Sequence, residues 1–194
     1  SYYDGTLFYR VIKNFLIQNE QGPFRFILDT GANRSVLSPR LAALLQLIPS
    51  ADKPIDVHGV TGSAVLPAVE IDSLRAGDLV LVRDSRVPVL PETVLADADG
   101  ILGVEGLSGS RIDIDFVADR VTISKSRGAK AAAGMLAIPV RLRFNGLLVT
   151  RASVGRQRVT AVIDTGAERT LGNIALRDAL RLAPTRPAET VVTT

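Results

Sequence analysis

One eight-residue run recurs imperfectly in this chain, and it constrains the fold more than any other feature. Asp29-Thr30-Gly31-Ala32-Asn33-Arg34-Ser35-Val36 returns as Asp164-Thr165-Gly166-Ala167-Glu168-Arg169-Thr170-Leu171. The match runs without a gap to Leu47 and Leu182, and 8 of these 19 aligned positions are identical. An apolar run precedes each Asp, Phe24 to Leu28 and Val159 to Ile163, and reads as a strand. After each turn comes a short amphipathic helix. Ser38 caps the first, with Pro39 at its first position, and Asn173 caps the second. Leu41, Leu44 and Leu45 are expected to line one face of the first helix, and Leu176 and Leu180 one face of the second. The repeating unit is strand, Asp-Thr-Gly turn, helix.

Between the copies the chain reads as strands. Val57 to Gly62 looks like a hairpin tip. Val65 to Ile71 and Leu79 to Val87 flank a turn at Ala76-Gly77-Asp78. Ile101-Leu102-Gly103 is a small apolar strand ending in glycine. Ile112, Ile114 and Phe116 alternate with Asp113 and Asp115, the pattern of a half-buried strand that returns as Val121 to Ile123. Asn145-Gly146 between Val140–Phe144 and Leu147–Thr150 signals a hairpin. These elements divide the chain into a first lobe over 1–124, a linker over 125–137 and a partial second lobe over 138–194. The second copy reaches only the position matching Gly59, so the second lobe is expected to lack a glycine-rich hairpin, an apolar-apolar-Gly segment and closing strands of its own.

Composition narrows the function. With 46% hydrophobic and 22% charged residues the chain is globular. Absence of cysteine excludes disulfides and thiolate chemistry. No apolar run approaches the roughly 20 residues of a membrane span. Net charge is +3, but the basic residues interleave with acids in no evident block, so nucleic acid is not implied. The compartment is not legible. A signal peptide preceding this chain would make it bacterial periplasmic or secreted, and otherwise it is expected in the cytoplasm.

Two Asp-Thr-Gly turns in matching contexts suit one kind of chemistry. Peptide hydrolysis needs a base and an acid in a single cycle. Two carboxylates at contact distance share one proton, because ionising both is costly. The ionised group takes a proton from water, and the protonated one polarises the scissile carbonyl. Asp29 and Asp164 are the candidate pair. Gly31 and Gly166 allow a tight turn close to the shared water. Thr30 and Thr165 offer hydroxyls able to bond between the two turns.

Phe26-Ile27-Leu28-Asp29-Thr30-Gly31-Ala32 and Ala161-Val162-Ile163-Asp164-Thr165-Gly166-Ala167 resemble the active-site segments of retropepsin-like aspartic proteases. Ile101-Leu102-Gly103 is similar to the segment that family threads beside its catalytic turn. Gly59, Val60, Thr61 and Gly62 lie where its flap falls. The resemblance implies an all-β, closed-barrel lobe with short helices and a catalytic Asp at the interface between lobes. It implies endopeptidase action on extended peptides, with no metal and no cofactor. Thr30 and Thr165 match the family's interlocking threonines. Val60 and apolar residues near the turns, such as Val36, are expected to line side-chain pockets. The alternatives are a non-catalytic peptide-binding or dimerisation module on the same fold, and a homodimer in which two copies of Asp29 meet.

A second resemblance covers residues 1–18. Tyr3 to Gln18 looks like the signature of cyclophilin-type prolyl isomerases, and Arg10, Phe15 and Gln18 match that family's active-site positions, with Tyr9 where His is usual. The preferred reading of this stretch is a first strand with Val11, Phe15 and Ile17 inward. Weaker signals point to ordinary structure. His58 stands without a Gly-x-Ser-x-Gly elbow and reads as a flap or surface residue. Asp97-Ala98-Asp99-Gly100 lacks the remaining ligands of a calcium loop and reads as an acidic turn. Gly103, Gly106 and Gly109 open no helix and do not form a phosphate cradle. Arg34 and Arg169 follow each motif at the same interval, either pairing with carboxylates or capping a strand.

Overall fold

The computed structural model describes residues 15–19, 22–59, 62–76, 79–95, 97–115, 117–118, 120–128 and 130–181. The chain is mainly β, as the sequence implies. Strand β1 (Phe15–Asn19) pairs antiparallel with β2 (Gly22–Leu28). Beyond β2 come β3 (Val36–Leu37), helix α1 (Pro39–Leu44), β4 (Ser50–Gly59), β5 (Gly62–Ala76) and β6 (Leu79–Pro88). Helix α2 (Glu92–Leu95) leads into β7 (Gly100–Leu102). A 3₁₀ turn (Val104–Leu107) precedes the hairpin of β8 (Ser110–Asp115) and β9 (Arg120–Lys125). The second copy contributes β10 (Arg141–Arg143), β11 (Leu147–Val154), β12 (Gln157–Val162) and α3 (Ile174–Ala179). No described helix is long and apolar enough to cross a membrane.

The strands lie in four sheets, ordered β1-β2-β7-β3, β4-β5-β6, β8-β9 and β10-β11-β12. The first sheet positions the site. β7 runs parallel to β2, with Leu28 opposite Leu102, and antiparallel to β3, with Val36 opposite Ile101. β7 therefore fills the space between the strand that enters the Asp29 turn and the strand that leaves it. Alternation along β2 sends Phe24, Phe26 and Leu28 into the core, where they meet Leu41, Val69, Val82, Val87 and Leu102. Phe26, Leu28 and Leu102 are fully buried. Each contributes roughly 1.5–3 kcal/mol of transfer free energy.

Helix α1 is capped as its sequence implies, with the Ser38 hydroxyl accepting from the Leu41 N–H at 3.0 Å. Its buried face differs from expectation. Leu41 and Ala42 are buried, Leu45 packs against the core, and Leu44 is 54% exposed. Position 44 rotates to solvent on a helix of only six residues. Val36, expected as a pocket wall, is buried at 5% exposure and stands opposite Ile101 of β7. The hairpin after β10 is shifted by one residue. Arg143 O accepts from Gly146 N–H at 3.1 Å, and Phe144 and Asn145, both at positive φ, occupy the centre of the turn. Gly146 follows at φ 110°, so Asn145-Gly146 is not itself the central pair. Residues 1–14 and Phe116 lie outside the described residues. Phe15 and Gln18 belong to β1, opposite Phe26 and Pro23.

The repeat is sheathed unequally. Val36 is 5% exposed and its counterpart Leu171 is 70% exposed; Leu28 is at 0% and Ile163 at 39%. The first copy has β7 beside its strand. Among the described residues β12 has β11 alone as a partner, and α3 has no buried residue.

Candidate active site

Each Asp sits where a strand ends in a tight turn. Beyond β2, the Asp29 N–H donates to Leu102 O at 3.0 Å, so β7 fixes the backbone of the residue itself. Asp29 Oδ1 accepts from the Gly31 and Ala32 N–H groups at 2.7 and 3.1 Å. Asp164 Oδ1 accepts from the Gly166 and Ala167 N–H groups at 2.8 and 3.0 Å. Two local Asx-type turns thus hold both carboxylates in the same orientation.

The two turns are locked to each other. The Thr30 N–H donates to Thr165 Oγ1, and the Thr165 N–H to Thr30 Oγ1, both at 3.1 Å. The Thr30 hydroxyl donates to Ile163 O, and the Thr165 hydroxyl to Leu28 O, both at 2.7 Å. Every hydroxyl in this lattice both donates and accepts, so no polar group is orphaned. Buried Thr30 and half-buried Thr165 carry the contact.

The lattice brings Asp29 and Asp164 side by side, each carboxylate lying against the opposite glycine. The glycines show how close the approach is. A Cβ on Gly31 would stand 2.5 and 2.6 Å from the Asp164 carboxylate oxygens. On Gly166 it would stand 2.6 and 2.7 Å from those of Asp29. Neither position has room for a side chain. Burial, with the neighbouring Asp164 charge next, raises the Asp29 pKa from 3.8 to about 6, against the lowering effect of the Gly31 and Ala32 N–H groups. Asp29 is half-buried and Asp164 exposed.

Further anchors steady the Asp29 turn. The Val104 N–H donates to Ala32 O at 2.9 Å, and the Gly103 N–H to Ser35 Oγ at 3.0 Å. Glu105 Oε1 accepts from the Ser35 N–H at 2.5 Å. Gly103 lies against the Arg34 backbone, where a Cβ would meet Arg34 O at 2.6 Å. Asp99, read from sequence as part of a plain acidic turn, is a buried carboxylate. Its Oδ2 accepts from the Arg25 N–H at 2.8 Å and its Oδ1 from the Arg40 guanidinium at 2.5 Å. Local sequence pattern does not mark Ser35, Asp99 or Glu105 as supports of the site. The sequence offers one signal for two of them: both acids flank Gly100 to Gly103, the segment that meets the catalytic turn.

Gly59 and Gly62 pair at the end of the β4–β5 hairpin; Val60 and Thr61 lie outside the described residues. His58, exposed beside the tip, has its Nδ1 2.7 Å from Ser63 Oγ. Among the described residues no three His, Cys, Asp or Glu side chains group to hold a metal ion. A comparison with curated proteins finds no match. Residues 15–105 match a family model described as aspartyl protease. That stretch contains the Asp29 turn, the β4–β5–β6 sheet and β7, and over it the chain is similar to aspartyl proteases.

Proposed function

We propose that this chain is an aspartic endopeptidase of the retropepsin-like type, with Asp29 and Asp164 as a catalytic pair contributed by one polypeptide. The observation that carries this reading is the close approach of the two carboxylates, each against the opposite turn's glycine, across the reciprocal Thr30–Thr165 lattice. The similarity of residues 15–105 to aspartyl proteases supports it independently.

The chemistry follows from the asymmetry of the pair. Asp29, with its raised pKa, keeps the shared proton. Asp164, more open to solvent, acts as the base. A water between them loses a proton to Asp164 as its oxygen bonds to the carbonyl carbon. Asp29 gives its proton to the carbonyl oxygen, producing a tetrahedral diol. Collapse returns a proton to Asp29, moves the proton on Asp164 to the amide nitrogen and breaks the C–N bond. The β4–β5 hairpin offers an extended peptide a strand-like surface. Gly59, Val60, Thr61 and Gly62 are the proposed flap, and apolar residues beside the cut bond are the proposed preference.

A mixed peptide library tests this. The wild-type chain should cut between apolar residues, and Asp29→Asn and Asp164→Asn should each abolish cleavage while folding normally. A fully active Asp29→Asn protein, or cutting mainly beside Arg or Lys, overturns the reading.

A further inference from the structure

The charge of the molecule is divided unevenly. Residues 125–194 contain 12 Lys and Arg against 4 Asp and Glu, a balance of +8. Residues 1–124 contain 11 against 16, a balance of −5. Strand pairing gathers part of the excess on one face of the second copy's sheet. Val149 is opposite both Arg141 and Val162, Arg143 is opposite Leu147, Arg151 opposite Thr160 and Arg158 opposite Ser153. Directly opposed residues share a face, and so do residues two apart on a strand. Arg141, Arg143, Arg151 and Arg158 therefore stand on the same face, and all four are exposed. Among the described residues none of them takes part in an ion pair.

The spacing is regular. Arg143 and Arg141 are two apart on β10, Arg141 is diagonal to Arg151, and Arg151 is diagonal to Arg158. Each step is roughly 7 Å. Alternate side chains of an extended peptide recur at about the same interval. Guanidinium groups favour bidentate pairing with carboxylates. Among the described residues of these three strands no aromatic ring stands on this face to stack a base, as single-stranded nucleic acid sites use. Four like charges on one small sheet repel each other, and among the described residues no ion pair offsets that cost.

We infer that this arginine face is a docking surface for an extended acidic polypeptide, and that in the proposed protease it recruits substrates carrying an acidic segment away from the cut bond. The recruiting role rests on the protease reading; the binding does not.

The probe is a fluorescein-labelled peptide of eight Glu-Ser repeats, titrated by anisotropy into the Asp29→Asn protein. Binding should weaken about tenfold between low and physiological salt. It should weaken at least about tenfold in a protein also carrying Arg151→Glu and Arg158→Glu. An oligothymidylate of equal charge should bind more weakly. In the active protein, the same two reversals should raise KM for a substrate with an acidic tail and leave kcat and the untailed substrate unchanged. Equal binding by the reversed protein, or tighter binding of the oligothymidylate, overturns the inference. Peptide binding without any cleavage by the wild-type chain instead condemns the protease reading and leaves the surface standing.

Discussion

Thr30 and Thr165 each donate a backbone N–H to the other's hydroxyl at 3.1 Å, a two-fold relationship between residues 135 apart in the chain. Each hydroxyl then reaches across to the strand that carries the opposite Asp. Thr30→Val keeps the volume and removes the hydroxyl. It leaves the Thr165 N–H and Ile163 O without partners, at about 1–3 kcal/mol each where water cannot replace the bond. Chemical denaturation should show a loss on the order of 2–4 kcal/mol, with most activity gone. Thr30→Ser should retain the lattice and most of the stability. A Val variant as stable and active as the Ser variant would remove the lattice from the account.

Gly31 and Gly166 are fixed by the opposite carboxylate rather than by backbone conformation. Gly31→Ala drives a methyl into the Asp164 side chain, and Gly166→Ala into that of Asp29. Either change must push the carboxylates apart. A misplacement near 1 Å costs about 100-fold in rate, so kcat should fall at least that far in both variants. Matched losses are the diagnostic result, because the two positions are mirror images of one contact.

Much of this was legible in the sequence because the site is a repeat. The Asp-Thr-Gly turns, their strands, their caps and Ile101-Leu102 all announce themselves through local pattern. What escaped depends on long-range burial. Asp99 looks like any loop acid until Arg25, 74 residues earlier, offers it an N–H. Leu44 fits the helix pattern, yet it turns to solvent between Ala42 and Leu45, which face the core. The arginine face was missed because its members spread over 18 positions and meet only through strand register. The turn at Phe144-Asn145 shifted because the β10–β11 register pairs Arg143 with Leu147, leaving three residues rather than two to close the hairpin.

The raised Asp29 pKa makes stability depend on pH with a definite sign. Folded Asp29 titrates near 6 and the free carboxyl near 3.8, so the folded state holds the proton more tightly. Below about 3.8 both states are protonated and the group costs nothing. Across the window from 3.8 to 6 the folded state loses relative stability, and above about 6 the full cost, up to about 3 kcal/mol, is present. Asp29→Asn removes that cost and keeps an oxygen for the Gly31 and Ala32 N–H groups. Its melting temperature should exceed that of the wild type at pH 7, and the gap should close by pH 3.5. A gap that is constant across this range would contradict the assignment of the proton to Asp29.

The same titration sets the alkaline limb of activity. Above about 6 Asp29 loses the proton it must donate to the carbonyl oxygen, so kcat should fall roughly tenfold per pH unit there. Activity should be unaffected by chelators at every pH. Restoration of a chelated sample by added metal would count against the two-carboxylate mechanism.

Asp99 tests whether the site depends on a buried carboxylate that takes no part in the chemistry. It joins three parts of the first copy: its side chain holds the Arg25 N–H and the Arg40 guanidinium, and its own carbonyl accepts from the Ser38 N–H at 2.8 Å. Arg40 is 61% exposed at the side chain and Asp99 10%, so losing each partner has different consequences. Arg40→Gln leaves the carboxylate one N–H and some access to water, and should cost about 1 kcal/mol. Asp99→Ala leaves the Arg25 N–H without its acceptor and should cost roughly 2–4 kcal/mol. Asp99→Asn keeps one acceptor for that N–H and should fall between the two. All three variants should keep the pH dependence of activity unchanged, because Asp99 does not touch the catalytic pair. If Asp99→Asn instead moved the alkaline limb, the carboxylate would be coupled to Asp29 through β7, and its role would be electrostatic as well as structural.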